Sequence, residues 1–272
     1  MSIFNFFKKS SKNEPTTAPT AQTCESSVEM QSVAVPKASS DEQPVQPKID
    51  TTGAKRVHNL IIVDESGSMS SIYQPALTGL NETLQTIREA QKEHENQEHI
   101  VWLVTFDTSH FKQIYANTPA EKAEDITREQ YRPCGGTPLY DAMGKSINQL
   151  RQMATADDVV LVTVITDGYE NASREYNGKA IKALVEEMKG KGWVFTYIGA
   201  NQDVEAVAAS MSIDNRLAFE ANDECTGAMF ERECRSRKRF FSKLSRNMPM
   251  CDLSTGYFDE DDEEENDNKD KS

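Results

Sequence analysis

The stretch "VHNLIIVDESGSMS", residues 57 to 70, joins an apolar run to a short loop rich in acidic and hydroxyl side chains. The run is almost continuous in Val, Leu and Ile, which is typical of a strand covered on both faces of a parallel sheet. Asp64, Ser66 and Ser68 follow it at alternate positions. In open parallel α/β sheets, ligands bind beyond the carboxyl ends of the strands. The stretch therefore predicts a central strand with a polar site at its end.

Further strands and helices alternate along the chain after this run. Long apolar runs at residues 99–106, 159–166 and 193–199 predict buried strands, and shorter ones are expected at 111–116 and 216–220. Apolar residues repeat every three or four positions between them, which predicts amphipathic helices. We therefore expect an α/β fold with a doubly wound, mostly parallel central sheet, one short antiparallel edge strand, and helices on both faces.

Composition divides the chain into four parts. Residues 1–54 are rich in Ser, Thr, Pro and Gln and are predicted to form a disordered arm, ahead of the α/β domain at 55–221. Residues 222–258 form an extension with a basic amphipathic helix, and 259–272 an acidic tail predicted to be disordered. Taken alone, the basic helix is compatible with nucleic-acid or membrane contact, or with a solvated helix packed by its Phe and Leu residues.

Charge and composition exclude several classes of partner. The formal net charge of −14 disfavours nucleic acid and anionic membranes. No run approaches the roughly 18 apolar residues of a membrane span, and the N-terminus lacks the residue order of a signal peptide. The five cysteines form no Cys-x-x-Cys pair, which argues against a disulfide framework or a zinc knuckle. We expect a cytoplasmic protein.

Three segments place oxygen-bearing side chains at strand ends or at the start of a helix: "DESGSMS" (64–70), "GGTPLYDA" (135–142) and "ITDGYEN" (165–171). Carboxylate and hydroxyl oxygens are hard ligands. Without His or Cys, such a set suits Mg²⁺ or Mn²⁺ better than Zn²⁺ or Cu²⁺. The sequence thus predicts a divalent-metal site formed by five residues, Asp64, Ser66, Ser68, Thr137 and Asp167.

In these segments the chain resembles the von Willebrand factor type A (VWA) domain family, and we interpret it as an intracellular type. The resemblance covers about residues 56 to 221, and none of the five residues departs from the family pattern. It implies a metal-ion-dependent adhesion site, or MIDAS. It also implies a protein-binding module in which an Asp or Glu of an unidentified partner protein completes the metal shell.

The same residues are also compatible with simpler roles and with two alternative functions. Asp64 and Ser66 could cap a helix, Thr137 could be an N-cap before a proline, and Asp167 could lie in a plain turn. One alternative function is a Mg-dependent phosphatase-like hydrolase. Such an enzyme needs an acid at position 66, where a serine hydroxyl cannot donate a proton near neutral pH, so we predict no enzyme activity. The second alternative is a scaffold that acts through its charged tails.

Neighbouring residues are candidates for supporting roles. Asp141, Glu170 and Asn171 lie close in sequence to the proposed ligands and are candidates for an outer shell or for ordinary surface positions. Glu65 and Tyr169 are candidates for the rim of the site, where they would contact a partner. The acidic tail provides one further hypothesis, because its carboxylates are expected to be able to occupy the chain's own metal site.

Overall fold

The computed structural model describes residues 54–259. The predicted arm before Ala54 and the acidic tail after Asp259 lie outside this range. No helix within it is long and apolar enough to cross a bilayer. Its strands and α-helices, in chain order, are β1 (Lys55–Asp64), α1 (Tyr73–Glu93), β2 (Gln97–Phe106), β3 (Phe111–Pro119), α2 (Leu139–Leu150), β4 (Val159–Thr166), α3 (Gly178–Lys189), β5 (Val194–Ala200), α4 (Val204–Ser210), β6 (Asn215–Phe219), α5 (Asp223–Ser245) and α6 (Met250–Ser254).

The strands form one sheet in the order β3-β2-β1-β4-β5-β6. All neighbouring pairs are parallel except β2 with β3, which is antiparallel and shifts register near Leu103. The predicted doubly wound sheet with an antiparallel edge strand is confirmed. β3 runs to Pro119, three residues beyond the predicted end of this strand, because its pairing with β2 continues to Ile100.

Two hydrophobic cores lie on opposite faces of the sheet, and β1 contributes to both. Val57, Ile61 and Val63 face a core shared with α1 and α5, while Leu60 and Ile62 face a core shared with α2 and α3. All five side chains are fully buried. Successive side chains of a strand point to opposite faces, so a strand covered on both sides is apolar at neighbouring positions, as at residues 60–63.

The predicted basic helix is α5, which packs against α1 and belongs to the first core. One of its basic residues differs from the expected solvated face, because Arg237 is completely buried. Its guanidinium donates hydrogen bonds to Glu233 Oε1, to Asn59 Oδ1 at 2.9 Å and to Thr163 Oγ1 at 2.8 Å. The charge can be buried there because Glu233 balances it and the two strand residues accept hydrogen bonds from its terminal nitrogens.

Candidate functional site

The candidate site lies at the carboxyl end of the sheet, where the loops after β1 and β4 leave neighbouring strands. β1 and β4 pair in parallel up to Val63 and Ile165, so the two loops emerge side by side. Ser68 Oγ donates a hydrogen bond to Asp167 Oδ1 at 2.6 Å, and the hydroxyls of Ser66 and Ser68 lie 3.1 Å apart. The structure therefore brings the first and third predicted segments together.

Asp64 is buried beneath these hydroxyls. Its Oδ1 accepts a hydrogen bond from the Ser66 backbone N–H at 2.7 Å, and its Oδ2 accepts one from Thr166 Oγ1 at 2.7 Å. Burial raises the pKa of Asp64 to about 6, although the hydrogen bonds from Thr166 and Ser66 act in the opposite direction. Thr166 was not among the predicted site residues; its place at the end of β4, next to Asp167, was the available signal.

Asp167 is the second carboxylate of the site. The residue is 2% exposed, and its Oδ2 is buried without a hydrogen-bond partner among the described residues. Burial raises the pKa of this carboxyl, while the hydrogen bond from Ser68 lowers it. A buried carboxylate oxygen without a partner is unfavourable. A bound cation would relieve that penalty.

Thr137 reaches the same place from the glycine-rich loop before α2. A methyl group built on Gly168 would lie 3.9 Å from Ser68 Oγ and 4.0 Å from Thr137 Oγ1, so both hydroxyls flank one point. The backbone of Thr137 forms two hydrogen bonds with Asn171. The Thr137 N–H donates to Asn171 Oδ1 at 2.9 Å, and the Asn171 N–H donates to the Thr137 carbonyl oxygen at 3.1 Å. Asn171 thus holds the threonine against the loop that follows β4.

Helix capping by the predicted site residues is not supported by the geometry. α2 begins at Leu139 with Pro138 at the N-cap, and no side chain of the cap residue bonds to the helix. Ser66 precedes the 3₁₀ segment Gly67–Ile72 and likewise makes no side-chain cap. The start of α2 is instead stabilised by Glu170 Oε2, which accepts a hydrogen bond from the Tyr140 N–H at 3.0 Å.

The other three predicted neighbours take different positions. Asp141 accepts backbone hydrogen bonds from residues 174 to 176 and so fixes the loop after β4. Tyr169 is 52% exposed at the rim, where its hydroxyl accepts a hydrogen bond from the Asp203 N–H at 2.9 Å. The prediction that Glu65 lies at the rim is wrong, because Glu65 is completely buried and paired with Lys112.

The donor set fits a hard divalent cation. It combines two carboxylates with three hydroxyls, and one of its buried oxygens, Asp167 Oδ2, has no hydrogen-bond partner in residues 54–259. In residues 54–259, no group of three or more His, Cys, Asp or Glu side chains is placed to hold a metal ion. A set with two carboxylates lies below that number, and Mg²⁺ is commonly bound through only one or two carboxylates with water and other oxygens.

No family model matches the chain, and no curated protein matches it. Similar solved structures include the PilB minor pilin from Streptococcus sanguinis, with a TM-score of 0.50 and 14% identity over 73% of this chain and 63% of that chain. The pilus adhesin SpaC from Lactobacillus rhamnosus GG has a TM-score of 0.50 and 13% identity, over 69% of this chain and 31% of that one. The vWF domain of the type V pili tip protein Mfa5 from Porphyromonas gingivalis has a TM-score of 0.48 and 10% identity, over 68% of this chain and 96% of that chain.

This chain spans less than two thirds of the PilB and SpaC chains. At these identities the likeness concerns the fold alone. The chain therefore has an α/β fold similar to that of these two proteins. Other similar solved structures include a von Willebrand factor type A protein from Catenulispora acidiphila, with a TM-score of 0.47 and 11% identity over 68% of this chain and 43% of that chain.

Proposed function

We propose that this chain is a divalent-cation-dependent protein-binding module. In this proposal Asp64, Ser66, Ser68, Thr137 and Asp167 hold Mg²⁺ or Mn²⁺, and an Asp or Glu side chain of a partner protein binds the same ion. The cytoplasmic location stays a prediction from the sequence.

One observation carries the proposal. Two carboxylates, Asp64 and Asp167, are buried at the end of the sheet with raised pKa values. Neither of them forms an ion pair with a cationic side chain of the described residues. Buried carboxylates are normally paired or bound to a metal. The hydroxyls that surround these two carboxylates have the ligand chemistry of Mg²⁺.

Each residue has a distinct task in this proposal. Asp64 and Asp167 supply the negative charge, which is enough to balance one divalent ion. Ser66, Ser68 and Thr137 supply neutral oxygens, so the bound ion would keep its affinity for a further hard oxygen. A carboxylate from a partner is such an oxygen.

The residues do not favour an enzyme. Ser66 stands where the phosphatase-like alternative needs a general acid, and its backbone N–H is bonded to the carboxylate of Asp64. A hydroxyl is not acidic enough for proton transfer near neutral pH. We therefore propose binding without catalysis.

Thermal melting of the full chain tests the metal site. Wild type, Asp64→Ala and Asp167→Ala are melted in EDTA, in Mg²⁺ and in Mn²⁺. A cation that binds only the native state stabilises it by about 2.7 kcal/mol at one hundred times its dissociation constant. We expect this increase in wild type and its loss in both variants, while Asp157→Ala, an exposed aspartate outside the site, keeps it.

A second experiment tests the carboxylate. A synthetic peptide of residues 259–272 carries nine acidic side chains and serves as a carboxylate-rich probe for a chain that ends at Phe258. We expect binding in Mg²⁺, no binding in EDTA, and a loss of binding in Thr137→Ala. Peptide binding that persists in EDTA would contradict the role of the metal, and an unchanged melting temperature of wild type in both cations would contradict the site.

A further inference from the structure

Glu65 is a buried carboxylate inside the candidate metal loop that the five proposed ligands do not explain. It stands between Asp64 and Ser66 and is completely buried. Its Oε1 accepts hydrogen bonds from Lys112 Nζ at 2.8 Å and from the backbone N–H of Arg132, whereas its Oε2 is buried without a partner among the described residues. Lys112 is therefore the cation that balances this charge, and its side chain is 35% exposed.

Glu65 joins three separate segments of the chain. Its backbone N–H donates to Phe106 O at the end of β2 at 2.8 Å, and its carbonyl accepts from the Cys134 N–H at 2.8 Å. Lys112, near the start of β3, donates a second hydrogen bond to Gln130 O at 2.9 Å. One residue and its counter-charge thus fix the edge of the sheet to the loop at residues 130–134.

That loop leads directly to Thr137. It is also attached to the loop after β1 by the hydroxyl of Tyr131, which donates to Asp64 O at 2.9 Å, and by the Gly67 N–H, which donates to Gly135 O at 3.0 Å. The attachments through Tyr131 and Gly67 are hydrogen bonds between neutral groups, whereas those through Glu65 and Lys112 involve charged groups. Charge-assisted hydrogen bonds are shorter and stronger than neutral ones.

We propose that Glu65 is a positioning residue of the metal centre. It holds the loop at residues 130–136, which leads to Thr137, so that the hydroxyl of Thr137 faces Ser68. We call this loop the threonine loop. Lys112 is its required counter-charge. This inference rests on the proposed function. A residue that only filled space here would be apolar, because a buried ion pair gives little net stability compared with well-packed apolar side chains.

The test compares variants of the full chain by calorimetric titration with Mg²⁺ and Mn²⁺, at a temperature where each is folded. Replacing outer partners of metal ligands typically weakens metal affinity about 10- to 100-fold. We expect losses in this range for Glu65→Gln and Lys112→Met. The double variant should lose less than the two single losses combined, because it leaves no unbalanced charge.

Matched controls are Glu98→Gln and Arg56→Met, which break an exposed ion pair between β1 and β2 at the opposite end of the sheet. They should leave the metal affinity unchanged. Amide hydrogen exchange gives a second readout that does not need a metal: the Cys134 N–H should exchange faster in Glu65→Gln than in wild type. A residue with a merely structural role would lower the melting temperature without changing the affinity of the folded protein.

The outcomes separate the two proposals. If wild type binds metal and both single variants bind it equally well, the positioning role is overturned while the proposed function stands. If wild type binds neither cation, the proposed function fails, and unchanged exchange at Cys134 would overturn the positioning of the threonine loop as well. If Glu65→Gln does not fold, the double variant with Lys112→Met carries the same test, because it leaves neither a buried carboxylate nor its counter-charge unpaired.

Discussion

Replacing Asp64 by Asn should make the metal-free protein more stable. Burial raises the pKa of Asp64 to about 6, from its usual value of 3.8. A difference of one in pKa between the native and unfolded states corresponds to about 1.36 kcal/mol. The ionised carboxylate therefore lowers the stability of the native state near pH 7 by about 3 kcal/mol. An asparagine can keep the hydrogen bond from the Ser66 N–H through Oδ1 and donate to Thr166 Oγ1 through Nδ2. It would therefore remove the charge and preserve the contacts.

The assay is thermal melting in EDTA across pH. A gain of about 3 kcal/mol corresponds to roughly 6 to 12 °C in a domain of 150 to 250 residues. A carboxyl with a raised native pKa binds protons more tightly when folded, so its penalty is complete above pH 6 and disappears as the pH falls below about 4. We therefore expect the difference in melting temperature between Asp64→Asn and wild type to be largest near pH 7 and to disappear near pH 4. Addition of Mg²⁺ should stabilise wild type alone.

Asp141→Asn is the matched control with the opposite expectation. Burial acts to raise the pKa of Asp141, but hydrogen bonds from the backbone N–H groups of Arg174, Tyr176 and Glu175 outweigh it, and the pKa is lowered. Its ionised form therefore stabilises the fold, and the asparagine variant should melt below wild type near pH 7. If Asp64→Asn also melted below wild type in EDTA, or if its advantage did not narrow at pH 4, the reasoning from desolvation would be refuted.

Three further predictions concern the loop before Thr137 and two buried side chains elsewhere in the fold. Gly135→Ala should destabilise the protein by about 1–3 kcal/mol in urea unfolding, because φ is +72° and the new methyl would lie 2.3 Å from Thr108 Oγ1. Arg237→Met should lower the free energy of unfolding by about 3–5 kcal/mol, since it leaves the buried Glu233 charge unpaired, and adding Glu233→Gln should recover part of that loss. Burial lowers the pKa of His99 to about 3, so this histidine contributes stability above pH 6.5 that is lost as the pH falls. Wild type should therefore lose about 2 kcal/mol of unfolding free energy between pH 6.5 and 5, and His99→Leu should lose much less. Urea unfolding at each pH measures this difference.

The sheet could be predicted from the sequence because its strands are covered on both faces. The middle of β1 and most of β4 consist of Val, Leu and Ile, and the intervening helices repeat their apolar residues at helical intervals. These are local patterns, and the chain order of strand and helix then limits the topology to a few arrangements. The grouping of the predicted site residues followed from the same rule, since parallel strands end at one edge.

The buried polar partners could not be predicted in the same way. Arg237 reaches Asn59 and Thr163, which are 178 and 74 residues away in the chain, so its burial depends on contacts that no local pattern records. Only Glu233, four residues before it, was a visible signal. The pairing of Glu65 with Lys112 across 47 residues is of the same kind. From sequence alone, a charged residue is predicted to be exposed unless an oppositely charged residue lies close to it in the chain.

The buried charged residues of this molecule differ in whether the protein itself balances their charge. The carboxylate of Glu233 is matched by Arg237, with which it forms a hydrogen-bonded ion pair inside the first core. Asp64 and Asp167 have only neutral donors among the described residues, their pKa values are raised, and one oxygen of Asp167 has no partner there. Selection for stability alone would replace such residues by neutral ones, because most sites tolerate stabilising changes. Local instability of this kind is expected where a ligand supplies the missing interaction, and in the proposed function that ligand is a divalent cation.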